Sequence, residues 1–182
     1  MTHPACTACT AAFSLRRYAR LFFLFFFVFF TSAPAFAALF GVEVRDLAAE
    51  VRHARAEGRR LVVFFELPDC PNCLKMKREV FSSPKAEKDF GRAYRSVRVN
   101  LASPLPLTDT RGVERSVLEV AEVLHISGAP SFAFFAHDGS LEYRYTGEFL
   151  RVPEFLRLGR YVAEARYEEH SFYDYKNLSS KH

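Results

Sequence analysis

The sequence predicts a single α/β domain, because segments with helical periodicity alternate with short apolar runs typical of buried strands. Two continuous apolar runs, at residues 61–65 and 132–136, provide most of the evidence for strands. The Asp138-Gly139 pair is a strong hairpin signal and joins the second run to a strand at residues 141–146. With 182 residues, the chain is long enough for one domain and too short for two comfortable ones.

Residues 1–37 have the organisation of a secretory signal peptide. Arg16, Arg17 and Arg20 form a positive region, and residues 21–30 form the apolar region that follows it. Ala35 and Ala37 are the small residues of a cleavage site. We expect cleavage after Ala37, which leaves a domain over residues 38–170 and a tail over residues 171–182. The alternative is an uncleaved membrane anchor, because roughly 20 apolar residues can span a bilayer. Both interpretations export the domain, and we expect it in the periplasm.

The charge balance argues against a nucleic-acid partner. The chain has a formal net charge of +4, but the leader contributes three arginines and no acidic residue, which leaves +1 for the rest. A nucleic-acid-binding domain carries a basic patch or stripe instead.

The elements are expected in the order helix, strand, two helices, strand, helix, two strands and helix. The strand at residues 61–65 is apolar on both faces, which indicates a central position in the sheet. Gly58 follows the first helix, and glycine suits the position just after a helix. Helices are expected at residues 44–54, 71–81, 85–94 and 116–125, and a last helix begins at Pro153. Asp69 is expected to cap the helix at 71–81. A further strand is expected at 97–101 and a loop at 102–115, before the hairpin strands. The tail shows no periodicity.

Four cysteines form two Cys-x-x-Cys pairs, one of which lies in the domain. Cys6 and Cys9 precede the apolar part of the leader and are treated as incidental. Cys70 and Cys73 follow the strand at residues 61–65 and fall in the first turn of a helix, an arrangement that favours thiol–disulfide chemistry. Such a pair is either a structural or a catalytic disulfide. The loop that it closes is very small, so stabilisation alone is a weak reason for it.

The two sulfurs are expected to have different roles. Cys70 stands at the helix N-terminus, where unsatisfied N–H groups and the helix dipole favour a thiolate, so it is the predicted nucleophile. Cys73 lies one turn deeper and is the predicted resolving thiol. Pro71 and Asn72 bring no positive charge and Asp69 brings a negative one, so we expect a reducing rather than a strongly oxidising dithiol.

The element order, the Cys-Pro-x-Cys motif and the Gly-Ala-Pro at residues 128–130 together resemble the thioredoxin family, over about residues 42–167. The resemblance implies the thioredoxin fold, a central mixed sheet of about four strands with helices on both faces. It also implies a cis bond before Pro130, close to the dithiol, and substrate pairing through the backbone of Ala129. On the same basis, Pro71 and Asn72 are expected in the substrate-binding surface.

A narrower resemblance is to the periplasmic thioredoxins that accompany sulfur oxidation, the SoxW type. It rests on the run Phe-Glu-x-Pro-Asp directly before the first cysteine, on the long loop at residues 102–115, and on the Tyr/Phe-rich tail.

Two positions depart from the usual thioredoxin pattern. Asp69 replaces the tryptophan before the first cysteine, and the chain has no tryptophan. Phe64 replaces the buried acid found six residues before that cysteine. Glu66 is the nearest substitute, and it is interpreted either as a solvated turn residue or as an acid–base group.

The sequence therefore predicts an exported thiol–disulfide oxidoreductase that uses the Cys70–Cys73 dithiol to reduce the disulfides of periplasmic proteins, in sulfur oxidation or in cytochrome maturation. The expected partners are protein disulfides and an electron donor such as a transmembrane thiol–disulfide transporter. No cofactor beyond the Cys70–Cys73 disulfide and no metal site are expected. The alternative is a binding or chaperone module with the same fold and a structural disulfide.

Overall fold

The computed structural model describes residues 39–178. The predicted leader and its cleavage site lie outside them. In chain order the elements are α1 (Leu47–Ala56), β1 (Arg60–Glu66), α2 (Pro71–Met76), a π-helix (Lys77–Phe81), α3 (Pro84–Ala93), β2 (Tyr94–Asn100), β3 (Leu107–Thr108), β4 (Glu114–Arg115), α4 (Val117–Val123), β5 (Ser131–Phe135), β6 (Leu141–Thr146), α5 (Val152–Ala163), a 3-10 turn (Arg166–Glu168) and α6 (Phe172–Leu178). Within this part of the chain, none of the helices has both the length and the apolarity that a bilayer crossing requires.

The main sheet has four strands in the order β2-β1-β5-β6. β1 runs parallel to β2 and antiparallel to β5, and β5 runs antiparallel to β6. The predicted mixed sheet is therefore confirmed, with the run at residues 61–65 in an inner strand. All side chains of that run are buried, which is why it is apolar on both faces.

Helices cover both faces of this sheet, and each face has its own apolar core. On one face, α1 and α4 pack against Leu61, Val63 and Phe65 of β1. On the other face, α2, the π-helix, α3, α5 and α6 pack against Val62 and Phe64. Both cysteines belong to this second core, so the dithiol helix lies on the α3–α5 face of the sheet.

Local sequence signals set the ends of the helices. Asp46 caps α1 by accepting a hydrogen bond from the N–H of Ala49 at 2.7 Å, and Gly58 follows the helix with a φ of +67°. At α4, Ser116 Oγ accepts the N–H of Glu119, and the Glu119 carboxylate accepts the N–H of Ser116. This reciprocal pair is a capping box, and it places the helix start where the sequence predicts it.

The structure differs from the predicted elements in three places. The helix expected over residues 71–81 changes from α to π at Lys77. Residues 102–115, expected to be a loop, contain the short β3–β4 ladder. The tail forms α6, whose Phe172 side chain is buried. A helix this short depends on tertiary packing for its stability, so sequence periodicity does not reveal it.

Candidate active site

Cys70 and Cys73 form a disulfide at the start of α2, with their Cα atoms 5.2 Å apart. Cys70 is 9% exposed and Cys73 is fully buried, as expected for an outer and an inner sulfur. The Sγ atom of Cys70 accepts a hydrogen bond from the backbone N–H of Cys73 at 3.1 Å. The prediction that Asp69 caps this helix is wrong, because Cys70 is itself the N-cap residue and Asp69 is exposed in the preceding turn.

A tight connection brings the disulfide to the edge of the sheet where β1 ends. β1 ends at Glu66, and the N–H of Cys70 donates to the carbonyl of Leu67 at 3.3 Å, which closes the turn. Pro71 then takes the first helical position, where a missing N–H costs nothing. Pro71 and Asn72 are both exposed, so the residues between the two cysteines face the solvent.

The loop before β5 meets the same edge of the sheet. The peptide bond between Ala129 and Pro130 is cis, and the register that pairs Ser131 with Phe65 puts Pro130 level with the end of β1. Ala129 packs against the core that contains both cysteines. The topology therefore brings together two segments that are far apart in the sequence.

Two hydrogen bonds on either side of Ala129 hold this loop. Ser131 Oγ donates to the carbonyl of Gly128 at 2.6 Å, and the N–H of Gly147 donates to the carbonyl of Pro130 at 3.4 Å. Across residues 39–178, the peptide N–H and C=O of Ala129 have no hydrogen-bond partner. These two groups are therefore free to pair with an added chain.

Glu66 lies at the end of β1 and is only 5% exposed. Its two carboxylate oxygens face different cations: Lys77 Nζ lies 2.5 Å from Oε2, and Arg98 Nη1 lies 2.7 Å from Oε1. The interpretation of Glu66 as a solvated turn residue is wrong, because the side chain is enclosed between β1, β2 and the π-helix.

Phe64 occupies the position where thioredoxins usually bury an acid, and it is completely buried. Its ring centroid lies 5.0 Å from that of Phe81 and 5.1 Å from that of Phe132. The surroundings of the Phe64 side chain are therefore apolar. The buried carboxylate stands two residues further along the same face of the strand, at Glu66.

From the sequence, Lys77 is interpreted first as part of a solvated helix face and second as a cation that helps the thiolate, whereas Arg98 is not identified as part of the site. A signal for Lys77 was present, because it follows Cys73 by four residues and Cys70 by seven, which places all three on one face of a helix. Arg98 lies on β2, and only the parallel pairing of β1 with β2 brings it to Glu66. No local pattern could have indicated that contact.

Several solved structures share the fold of this chain. A thioredoxin-fold protein from Helicobacter pylori is 13% identical with a TM-score of 0.53, over 68% of this chain and 85% of that chain. The DsbH oxidoreductase is 17% identical with a TM-score of 0.53, over 73% and 90%. A candidate disulphide isomerase from Bacteroides thetaiotaomicron is 19% identical with a TM-score of 0.54, over 69% and 96%. No curated protein is significantly similar to the chain in sequence.

These distant similarities show only the fold, whereas a match to a family model shows the family. The model of the thioredoxin-like domain matches residues 47–163, from the start of α1 to the end of α5. The match covers more than half of the chain and includes the disulfide and the Ala129–Pro130 loop. The predicted thioredoxin fold is confirmed, and the chain belongs to the thioredoxin-like domain family.

Proposed function

We propose that the protein is a thiol–disulfide oxidoreductase that acts on the disulfides of other proteins. The observation that carries this proposal is the hydrogen bond from the N–H of Cys73 to Cys70 Sγ at the start of α2. A backbone donor directed at a sulfur stabilises that sulfur most when it carries negative charge. Only the thiolate is nucleophilic, so Cys70 is the attacking residue.

In the reducing direction, the reaction starts from the dithiol. The Cys70 thiolate attacks one sulfur of the substrate disulfide, the substrate S–S bond breaks, and the leaving sulfur takes up a proton. Cys73 then loses its proton and attacks Cys70 Sγ. The second substrate sulfur leaves and is protonated, and the Cys70–Cys73 disulfide forms. Two electrons pass to the substrate, and the disulfide state of this structure is the state that the protein reaches after it has reduced one substrate disulfide.

The Ala129 backbone is the proposed docking point for the substrate chain. Its N–H and C=O groups have no partner within residues 39–178, and the exposed Pro71 and Asn72 lie next to the sulfurs. An extended substrate segment can pair with Ala129 as a short added strand, which aligns its disulfide with Cys70. Main-chain pairing of this kind supplies affinity without requiring a particular substrate sequence.

We assign the reducing direction and an exported location to this activity. The exposed Asp69 places a negative charge before Cys70 and disfavours a second one on the sulfur, which opposes a strongly oxidising potential. Each turnover requires a dithiol donor to return two electrons, and a transmembrane thiol–disulfide transporter fits an exported protein. A role in sulfur oxidation or cytochrome maturation stays a prediction from the sequence.

Two cysteine variants test the proposal. Cys70→Ser is expected to abolish reduction of insulin disulfides by the pre-reduced protein. Cys73→Ala is expected to retain substrates as mixed disulfides on Cys70, which non-reducing gels and mass spectrometry detect. A binding module with a structural disulfide would give the opposite pattern. The wild type would not reduce insulin, and Cys73→Ala would retain no covalently attached partner. Cys70→Ser would keep the partner affinity of the wild type.

A further inference from the structure

A groove between α3 and α5 contains a cavity of about 410 Å³. Its buried lining is apolar and comes from Phe90, Tyr94 and Leu156, whereas Ala93 and Ala163 are exposed at its rim. These two alanines leave space that longer side chains would fill. Binding sites for small molecules typically have volumes of about 300–1,000 Å³ and a mostly apolar lining. The cavity therefore has the size and the surface of a ligand site.

The charged residues of the lining are three cations and one carboxylate, namely Lys85, Arg157, Arg160 and Asp89. Lys85 and Asp89 neutralise each other, since Nζ of the lysine lies 2.9 Å from Oδ2 of the aspartate. Neither arginine forms an ion pair with a carboxylate among residues 39–178. The cavity therefore combines an apolar lining with two positive charges that lack a counter-ion in the described part of the chain.

The Arg157 guanidinium has donors to spare. Its Nη1 atom donates to the carbonyl of Lys176 at 3.0 Å, and its Nε atom is buried without a hydrogen-bond partner. A guanidinium has five N–H donors, and its planar shape matches the two oxygens of a carboxylate. Because the neighbouring lining is apolar, a carboxylate bound here is partly desolvated, and its attraction to the arginines is stronger than in water.

The cavity is separate from the dithiol. None of its lining residues comes from α2 or from the loop that contains Ala129. Its lining comes from α3 and α5, with Tyr94 at the start of β2. A ligand in this cavity therefore occupies a different surface from the one proposed for the protein substrate.

We propose that this cavity binds one anionic amphiphile, a linear monocarboxylate whose alkyl chain lies against Phe90, Tyr94 and Leu156 and whose head group pairs with Arg157 and Arg160. An uncharged amphiphile would leave both arginines without a counter-ion, and a small anion without a chain would leave the apolar lining uncovered. This inference goes beyond the proposed function and does not depend on it.

Three probes with the same ten-carbon chain separate the contribution of the chain from that of the head group. Isothermal titration calorimetry, below the concentrations at which the probes form micelles, should show one decanoate bound per chain. Decanol should bind at least ~10-fold more weakly, because it cannot form charge-assisted hydrogen bonds with the arginines. The cation decyltrimethylammonium should bind more weakly still. In ¹H–¹⁵N NMR spectra, the shifts that decanoate causes should fall on α3 and α5.

Variants of the rim test the two parts of the site independently. Arg157→Gln should weaken decanoate binding by about tenfold and the more exposed Arg160→Gln by about threefold, with decanol binding unchanged. Arg55→Gln is the matched control, since Arg55 is also an exposed arginine in the last turn of its helix, but α1 covers the other face of the sheet. The double variant Ala93→Leu/Ala163→Leu should weaken the binding of both decanoate and decanol, because the leucines fill the cavity.

Thermal unfolding of each variant establishes that it is folded before binding is measured. Arg157→Gln also loses the hydrogen bond to the carbonyl of Lys176, so Arg160→Gln decides the role of the head group if Arg157→Gln does not fold. Selective binding of decanoate that the arginine variants weaken and Arg55→Gln does not supports the proposal.

Three results would overturn the proposal. Decanoate does not bind, or binds no more tightly than decanol. The NMR shifts fall around Cys70 and Ala129 instead of on α3 and α5. Sedimentation shows a wild-type dimer that the alanine double variant converts to a monomer, which assigns the groove to a second copy of the chain. None of these measurements uses the dithiol, so a wild-type protein that fails to reduce insulin counts against the proposed function and not against this inference.

Discussion

Cys73 donates its backbone N–H to the Sγ atom of Cys70, so the outer cysteine of the pair is also the N-cap of the helix that carries the inner one. Helix capping is normally performed by an oxygen of Ser, Thr, Asp or Asn. Here the capping atom is the sulfur that the proposed chemistry uses. The same contact therefore orders the start of α2 and prepares Cys70 as a nucleophile.

The first prediction concerns the unequal reactivity of the two thiols. In Cys73→Ala, the remaining thiol at Cys70 should react with iodoacetamide at least ~10-fold faster at neutral pH than the thiol at Cys73 in Cys70→Ala. Cys70 is 9% exposed and has helix N–H groups nearby, whereas Cys73 is fully buried. Rates are measured by mass spectrometry. Equal rates in the two folded variants would contradict the assigned roles.

The second prediction concerns the close contact between α3 and α5. A Cβ atom at Gly159 would lie 2.9 Å from two ring carbons of Phe90, and that ring is stacked on Phe155 at 4.3 Å between centroids. Because the ring cannot move away, Gly159→Ala should lower the free energy of unfolding by about 1–3 kcal/mol.

Gly91→Ala in α3 is the matched control, since its Cβ would meet only Leu39, at 3.9 Å. Alanine is favoured over glycine inside a helix by about 0.5–1 kcal/mol, so this variant should be more stable than wild type. Urea denaturation measures both. A Gly159→Ala variant as stable as Gly91→Ala would show that the helices do not approach this closely.

The third prediction concerns Tyr94, which is 1% exposed and donates its hydroxyl to the carbonyl of Gly159 at 2.8 Å. Tyr94→Phe should cost about 1 kcal/mol of unfolding free energy through the lost hydrogen bond. Tyr173→Phe should change stability little, because that side chain is 69% exposed.

Tyr94 should also influence stability in alkali. Burial raises the pKa of Tyr94 above its ordinary value of 10.0. A raised folded-state pKa gives stability that is complete below the unfolded value and is lost as pH rises from there toward the folded value. Wild type should therefore lose stability above about pH 10 more steeply than Tyr94→Phe. If the unfolding free energies of wild type and Tyr94→Phe fell in parallel above about pH 10, the Tyr94 hydroxyl would not be buried in solution.

The fourth prediction concerns Glu154 and the loss of folding stability at acid pH. A hydrogen bond from the backbone N–H of Arg151, at 3.1 Å, lowers the pKa of Glu154 below its ordinary value of 4.5, and Lys176 adds to this effect. A lowered folded-state pKa gives stability that is present above the unfolded value and is lost as pH falls toward the folded one.

Glu154→Gln keeps the shape of the side chain and removes its charge. At neutral pH it should cost about 0.3–1 kcal/mol, as is typical for a charge at a helix N-terminus. The difference from wild type should shrink as pH falls below about 4.5, where the glutamate is itself protonated in the unfolded chain. A constant difference across the acid range would assign the effect to packing instead of charge.

Local chemistry explains why so many elements could be predicted. Gly58 ends α1, Ser116 and Glu119 begin α4, and Asp138-Gly139 turns the β5–β6 hairpin, and each of these signals acts within a few residues. The cysteine spacing and its place after an apolar strand are likewise local. These local features are sufficient to make Cys70 and Cys73 the candidate nucleophile and the candidate resolving thiol.

Contacts between distant segments explain what could not be predicted. Asp69 was expected to cap α2 because its type suits that position, but the chain turns one residue later and the cap is Cys70. α6 is too short to show a helical period. Tertiary contacts hold it in place: the Phe172 side chain is buried, and the Tyr161 hydroxyl donates a hydrogen bond to the carbonyl of His170, just before the helix.

The sequence by itself determined the α/β class, the order of the main elements and the Cys70–Cys73 pair, because periodicity, turn chemistry and residue spacing are carried by neighbours along the chain. Only the tertiary structure decided that Glu66 is enclosed between Lys77 and Arg98. The position of the Ala129 loop at the dithiol edge was expected from the family resemblance and not from any local pattern. Those relations come from the pairing of β1 with β2 and β5. Strand partners and their register are chosen by burial of the whole sheet, and no short stretch of sequence contains that information.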